Sequence, residues 1–235
     1  MANWITHTIL ADRLLTQGLP FDRRGFCLGN IAPDCNVENE DWTAFTPPRE
    51  VTHWMAANDK STADYEGFYC AHIAGSDITD QQELAFLYGY YCHLVTDVQY
   101  QRFVREPARL AHCFERLRTN DELKSQIAAL PETFDALKAH FGRRRLFQDI
   151  AVLENNYAAT HPRCSWNTVL RTTETFPDYL STFPPGAVAR KLKIMVFPAD
   201  QTLPETGLFF TREEYEAFLD HTEALLLRLL KAKLG

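Results

Sequence analysis

The sequence predicts an all-α protein, a multi-helix bundle around one core. Apolar residues recur at helical spacing along much of the chain, as Ile5, Ile9, Leu10 and Leu14 do at its start. Helix-start signals recur with them: "TDQQ" and "TREE" read as capping boxes, and Pro107 suits a first turn. Runs of β character such as "IMVF" are too few for a sheet.

The first helix is expected over residues 3–16, stopped by "QGLP". The stretch "GNIAPDCNVENEDWTAFTPPREV" reads as a long loop, rich in Pro, Asn and Asp. A helix over 63–74 follows. The next spans 79–104, capped by Thr79 with Gln82 at the third position. Pro107 opens another. Further helices are expected over 121–129, 132–140, 144–160, 165–180 and 187–195. The last begins at Thr211 with Glu214 closing its box, and ends in Lys231 and Lys233, which suit the negative end of the helix dipole.

No repeat, low-complexity tract or linker divides the 235 residues, so one helical domain over 1–235 is expected. A net charge of −7 lacks the basic excess of an avid nucleic-acid binder. No run reaches the roughly 18 apolar residues of a membrane span. "MANWITHTILADRLL" has no basic leader region, and the expected location is cytoplasmic. Six cysteines form no CxxC pair and read as free thiols, mostly in the core.

"YGYYCHLVTDVQY" places His93 and Asp97 four residues apart, on one helix face, inside an apolar and aromatic run. Three other stretches hold metal-type ligands: His7 in "WITH", Asp34 in "GNIAPD" and His53 in "REVTHW". Three imidazoles and two carboxylates form a mixed nitrogen and oxygen set that suits zinc, and a carboxylate can bridge two cations. Each residue taken singly has a plainer reading. His93 can be a hydrogen-bonded core histidine, Asp34 a turn residue and His53 a cap.

The ordered set W-x-x-H, G-N-I-A-P-D, T-H-W and G-Y-x-x-H-L-x-x-D resembles the zinc-dependent phospholipase C family and the related single-strand-specific zinc nucleases, over about the first hundred residues. The resemblance implies an all-helical phosphodiesterase with a zinc cluster. It implies that Asp34, His53, His93 and Asp97 hold one zinc ion, and that His7 and a second oxygen of Asp97 help hold another. Asp34 would also orient or deprotonate the attacking water. Trp4 stands where the family has a tryptophan whose free amino end is a ligand, but lies three residues inside this sequence. The family pattern continues to a histidine six residues past the aspartate, where this chain has Phe103, and then to a second His–acid pair. No histidine other than His93 has an acid four residues on, so a third metal site is expected to be absent, with Phe103 packed into the core.

Arg49 and Lys60 flank His53 and read as phosphate-binding or as solvated loop charges. His72 is a core or cleft histidine. Asp64 is a partner of a ligand histidine or an exposed helix acid. Asp149 and Glu154, five apart, fit one helix face poorly as replacement ligands. Arg143–Arg145 read as a helix start or weak anion patch, and Cys35 and Cys92 as packing. The sequence thus points to a metal-dependent phosphoester hydrolase with one or two zinc ions, or another divalent metal, acting on a small phosphoester or a phospholipid. The alternative is a helical metal-binding or partner-binding protein that kept the fold and lost turnover. A phosphohydrolase of the type built on an adjacent His-Asp dipeptide is disfavoured, because the sequence has none.

Overall fold

The computed structural model describes residues 2–235. The protein is all-α, and its one sheet among the described residues is a two-stranded antiparallel ribbon, β1 (Val37–Glu38) with β2 (Phe45–Thr46). The helices are α1 (Trp4–Thr16), α2 (Arg23–Gly29), α3 (Arg49–Thr52), α4 (Tyr65–His72), α5 (Gln81–Val104), α6 (Pro107–Thr119), α7 (Lys124–Ile127), α8 (Phe134–Leu146), α9 (Gln148–Thr160), α10 (Ser165–Thr168), α11 (Ala187–Met195) and α12 (Arg212–Leu234). Among the described residues no helix is long and apolar enough to cross a membrane.

Helix α5 is the axis of the fold. Every residue from Ala85 to Tyr100 is buried, as expected of a helix that is apolar on all sides and enclosed by others. Its N-terminus is capped by Asp80, whose carboxylate accepts from the amides of Gln82 and Glu83. The box expected on Thr79 does not form, because a carboxylate one residue later takes those amides.

Helix α2 lies against α5 at a distance only glycine allows. A Cβ on Gly29 would stand 2.0 Å from the carbonyl oxygen of Phe86, and one on Gly89 2.2 Å from that of Phe26. The chain leaving α2 is therefore pressed onto α5 at the height of His93. No helix is expected from the sequence between 16 and the loop that opens at Gly29; α2 fills that interval, capped by Asp22, which accepts from Gly25 N at 2.7 Å.

Two apolar clusters share α1 and α5. One gathers α2, α4 and the 164–192 region; the other gathers Tyr100, Val104, Phe114, Phe210 and Phe218. Phe103 packs against the second, its ring 4.9 Å from that of Phe218. The helix expected over 165–180 is cut short. Helical turns end at Thr172, in a stretch of threonines followed by Pro177, which keeps the residue before it out of the helical region. The break expected between 140 and 144 falls at Gly142, with φ of 73°. The Thr211–Glu214 capping box forms as the sequence predicts. All six cysteines are free, and only Cys70 is exposed.

Candidate metal centre

Four separate pieces of backbone meet on α5. His7 lies one turn into α1, Asp34 ends the 3-10 turn Ala32–Asp34 after α2, and His53 follows α3. His93 and Asp97 come from successive turns of α5. His7, His53, His93 and Asp97 have no solvent exposure, and Asp34 very little. His93 Nε2 is 3.2 Å from Asp97 Oδ2, His53 Nε2 is 3.1 Å from Asp34 Oδ1 and 3.7 Å from Asp97 Oδ2, and His7 Nε2 is 3.9 Å from Asp97 Oδ1. Ligand atoms of His7, His93 and Asp97 lie within 4.8 Å of one another, as do those of Asp34, His53 and His93, and each triplet could hold a metal ion.

The surrounding hydrogen bonds set the rings. His93 Nδ1 donates to the carbonyl oxygen of Asn30 at 2.7 Å. With Nδ1 so engaged, the ring turns Nε2 inward, as a metal-ligating histidine held from behind does. His53 turns Nδ1 toward the Arg49 carbonyl, 3.1 Å away, and Nε2 toward Asp34. The indole N–H of Trp4 donates to Asp34 Oδ2 at 3.2 Å. Tyr90 donates its hydroxyl to the carbonyl of Thr52, tying the His53 segment to α5.

Both nitrogens of His7, Nε2 of His93 and Oδ1 of Asp97 are buried without a hydrogen-bond partner. Buried polar atoms are rarely left so, and these atoms are the donors of one triplet. They fit a divalent cation with nitrogen and oxygen ligands, zinc included. Burial, then the neighbouring His93, pushes the His7 pKa well below its usual value. Burial and the Lys60 ammonium take His53 down to about 4. Neutral imidazoles are the form that binds metal. Burial alone would raise both carboxylates, but Lys60 and the histidines outweigh it and hold Asp34 and Asp97 well below the usual range.

Lys60, which the sequence offers as a phosphate-binding residue or a solvated loop charge, is not solvated but buried in this cluster. Its Nζ is 2.5 Å from Asp97 Oδ2 and 3.4 Å from Asp34 Oδ1. Arg49 lines a cavity of about 610 Å³ together with Trp4, Asp34, Trp42 and Arg143. A second cavity, of about 890 Å³, carries Arg49, Lys60, Arg102, Arg105, Lys138 and Arg143. Arg143 was not separable in the sequence from its neighbours Arg144 and Arg145; only the tertiary fold brings it to both cavities. Trp42, Met195 and Phe197 line the first cavity with large exposed apolar surface.

The other weighed residues lie outside the cluster, although Glu154 lines the first cavity. Asp64 caps α4, accepting from Gly67 N at 2.8 Å. His72 packs on Phe68 and Trp54. Asp149 accepts from the amides of Phe209 and Phe210, at 2.6 and 3.1 Å. Glu154 accepts from Asn3 at 2.6 Å and from Thr6 N at 3.1 Å, while Tyr215 meets the Thr6 hydroxyl at 2.8 Å. The second half of the chain thus braces the helix that carries His7. Among the described residues, both triplets able to hold a metal come from the first hundred positions.

Comparison with curated proteins and with solved structures gave no match. Residues 6–100, the stretch that contains His7, Asp34, His53, His93 and Asp97, match the family described as zinc-dependent phospholipase C.

Proposed function

We propose that the protein is a metal-dependent phosphoester hydrolase, with zinc held by His7, His93 and Asp97 and with Asp34 and His53 completing the site. The observation that carries this is the set of buried, unpartnered donor atoms on His7, His93 and Asp97, within a stretch matching a zinc-dependent family. Zinc supplies Lewis acidity toward a phosphoryl oxygen and lowers the pKa of water toward about 7.

The chain's own residues supply the rest. Asp34 is the cluster residue that reaches the 610 Å³ cavity. Its carboxylate is held well below the usual range, burial notwithstanding, by Lys60 and His53. A base so weak orients the attacking water better than it keeps the proton. Trp4 fixes Asp34 from behind. Arg49 and Arg143 carry positive charge beside the cavity and bind the ester's phosphate. Trp42, Met195 and Phe197 give its wall an apolar part that suits an apolar ester substituent or an acyl chain. A small phosphoester and a phospholipid both satisfy this chemistry.

A metal-binding protein without turnover is the second reading. Phe103 in place of a ligand favours it, because its ring is packed among Phe210 and Phe218 and offers no lone pair to a metal. Elemental analysis of the purified protein, with hydrolysis of bis(p-nitrophenyl) phosphate by wild type and Asp97→Asn, separates the readings. Zinc in the wild type with hydrolysis lost in the variant supports the hydrolase. Zinc without hydrolysis supports the binding protein.

A further inference from the structure

The two triplets able to hold a metal are not equivalent. In one, the lone pairs are open: His7 Nε2, His93 Nε2 and Asp97 Oδ1 are buried and without partners. In the other, the one carboxylate is already engaged, and so is the second oxygen of Asp97 that faces it. Asp34 Oδ1 faces His53 Nε2 at 3.1 Å and Lys60 Nζ at 3.4 Å, and Asp97 Oδ2 meets the same Nζ at 2.5 Å. The ammonium therefore stands on the two oxygens through which a second cation would be shared between Asp34 and Asp97.

Lys60 is delivered there by a segment with little freedom. Trp54, Ala57 and Asn58 all have positive φ, at 49°, 49° and 55°, which side-chain-bearing residues seldom adopt and which surrounding structure must enforce. Thr62 fastens the turn, its hydroxyl accepting from Ala56 N at 2.9 Å and donating to the Asp59 carbonyl at 2.7 Å. Asp64 N donates to the Trp54 carbonyl at 2.8 Å. The lysine stem is 8% exposed, so its charge is compensated inside the protein, by these carboxylates.

We propose that Lys60 takes the place of a second metal ion, so that the site holds one ion, on His7, His93 and Oδ1 of Asp97, while the ammonium occupies the position between Asp34 Oδ1 and Asp97 Oδ2. The inference rests on the metal-binding reading above and sharpens it. A zinc ion sits about 2 Å from a carboxylate oxygen. An ion bound to Oδ2 of Asp97 and an ammonium 2.5 Å from that atom would crowd one another, both positive and both out of water. The charge count agrees. Two carboxylates facing one ammonium leave a single negative charge for a divalent ion, and a second divalent ion would find none.

The test is the stoichiometry of zinc, read by elemental analysis and by calorimetric titration of chelator-stripped protein. Wild type is expected to bind one ion per chain and Lys60→Arg also one. Lys60→Met is expected to bind two, with an unchanged helical circular dichroism spectrum. If methionine at 60 prevents folding, Lys60→Gln carries the same expectation. Two ions in the wild type, or one in a folded Lys60→Met or Lys60→Gln protein, would overturn the proposal and leave the hydrolase reading standing. No tight zinc in the wild type would overturn both.

Discussion

The imidazoles of His7 and His93 stack, ring centroids 3.9 Å apart and planes 6° from parallel, and neither Nε2 has a hydrogen-bond partner. One ring comes from α1 and the other from α5, so this contact joins in space the first and last stretches of the ordered motif. His93→Ala and Asp97→Asn are each expected to lower zinc affinity by about a hundredfold or more, beyond what loss of a supporting hydrogen bond does. The helical circular dichroism signal should stay, because the clusters around α5 are apolar. Unchanged zinc content in both purified variants would remove these residues from the site.

Asp34→Asn should separate binding from turnover. The other donors still hold the ion, while the side chain that faces the cavity loses its charge. Turnover is expected to fall by about 100-fold or more, within the range for a lost acid–base or water-orienting group. Zinc content should stay near the wild-type level. Full activity in this variant would make Asp34 a turn residue that happens to lie beside Trp4.

Gly89→Ala tests the packing that sets the height of Asn30 against His93. The added Cβ would lie 2.2 Å from the Phe26 carbonyl and 2.9 Å from Asn30 N. Backbone must move, and overpacking of this kind costs about 1–3 kcal/mol. A lower urea midpoint is expected, together with weaker zinc binding as the Asn30 carbonyl shifts away from His93 Nδ1. An unchanged midpoint would mean that α2 and α5 are not held at this distance.

The metal-free protein should lose stability on mild acidification. Burial, with the Lys60 charge beside it, depresses His53 to about 4 in the folded state, against 6.5 for the free side chain. Between those values the unfolded chain binds more protons, so stability rises with pH and falls as pH drops through the window. A shift of this size corresponds to about 3 kcal/mol, and His7 acts in the same direction. Urea midpoints of chelator-treated protein should fall from pH 6.5 to pH 4.5, and less steeply in His53→Gln. A midpoint that rises over this range would contradict buried, neutral imidazoles.

Much of this was legible in the sequence because it is local. The His93–Asp97 spacing needs only a helix, and the Thr211–Glu214 box needs only four residues. Asp34 and His53 were legible through the ordered resemblance, which spans the gaps that spacing cannot. Helix α2 was missed because Gly25 and Gly29 are poor helix formers alone, and contact with α5 overrides that preference. The burial of Lys60 is illegible for a similar reason. Its approach to Asp34 and Asp97, 26 and 37 residues away, depends on a turn of positive φ that its side chains do not advertise. Trp4 was noticed for its amino end, whereas its indole N–H makes the contact with Asp34.

Zinc reconstitution of chelator-stripped protein tests the central claim most directly. Hydrolysis of bis(p-nitrophenyl) phosphate should be absent in the stripped protein, rise with added zinc, and stay absent in Asp97→Asn at the same zinc concentration. Wild-type protein that takes up zinc and still fails to hydrolyse this ester or a phospholipid, or that hydrolyses it equally well without metal, would contradict a metal-dependent phosphoester hydrolase.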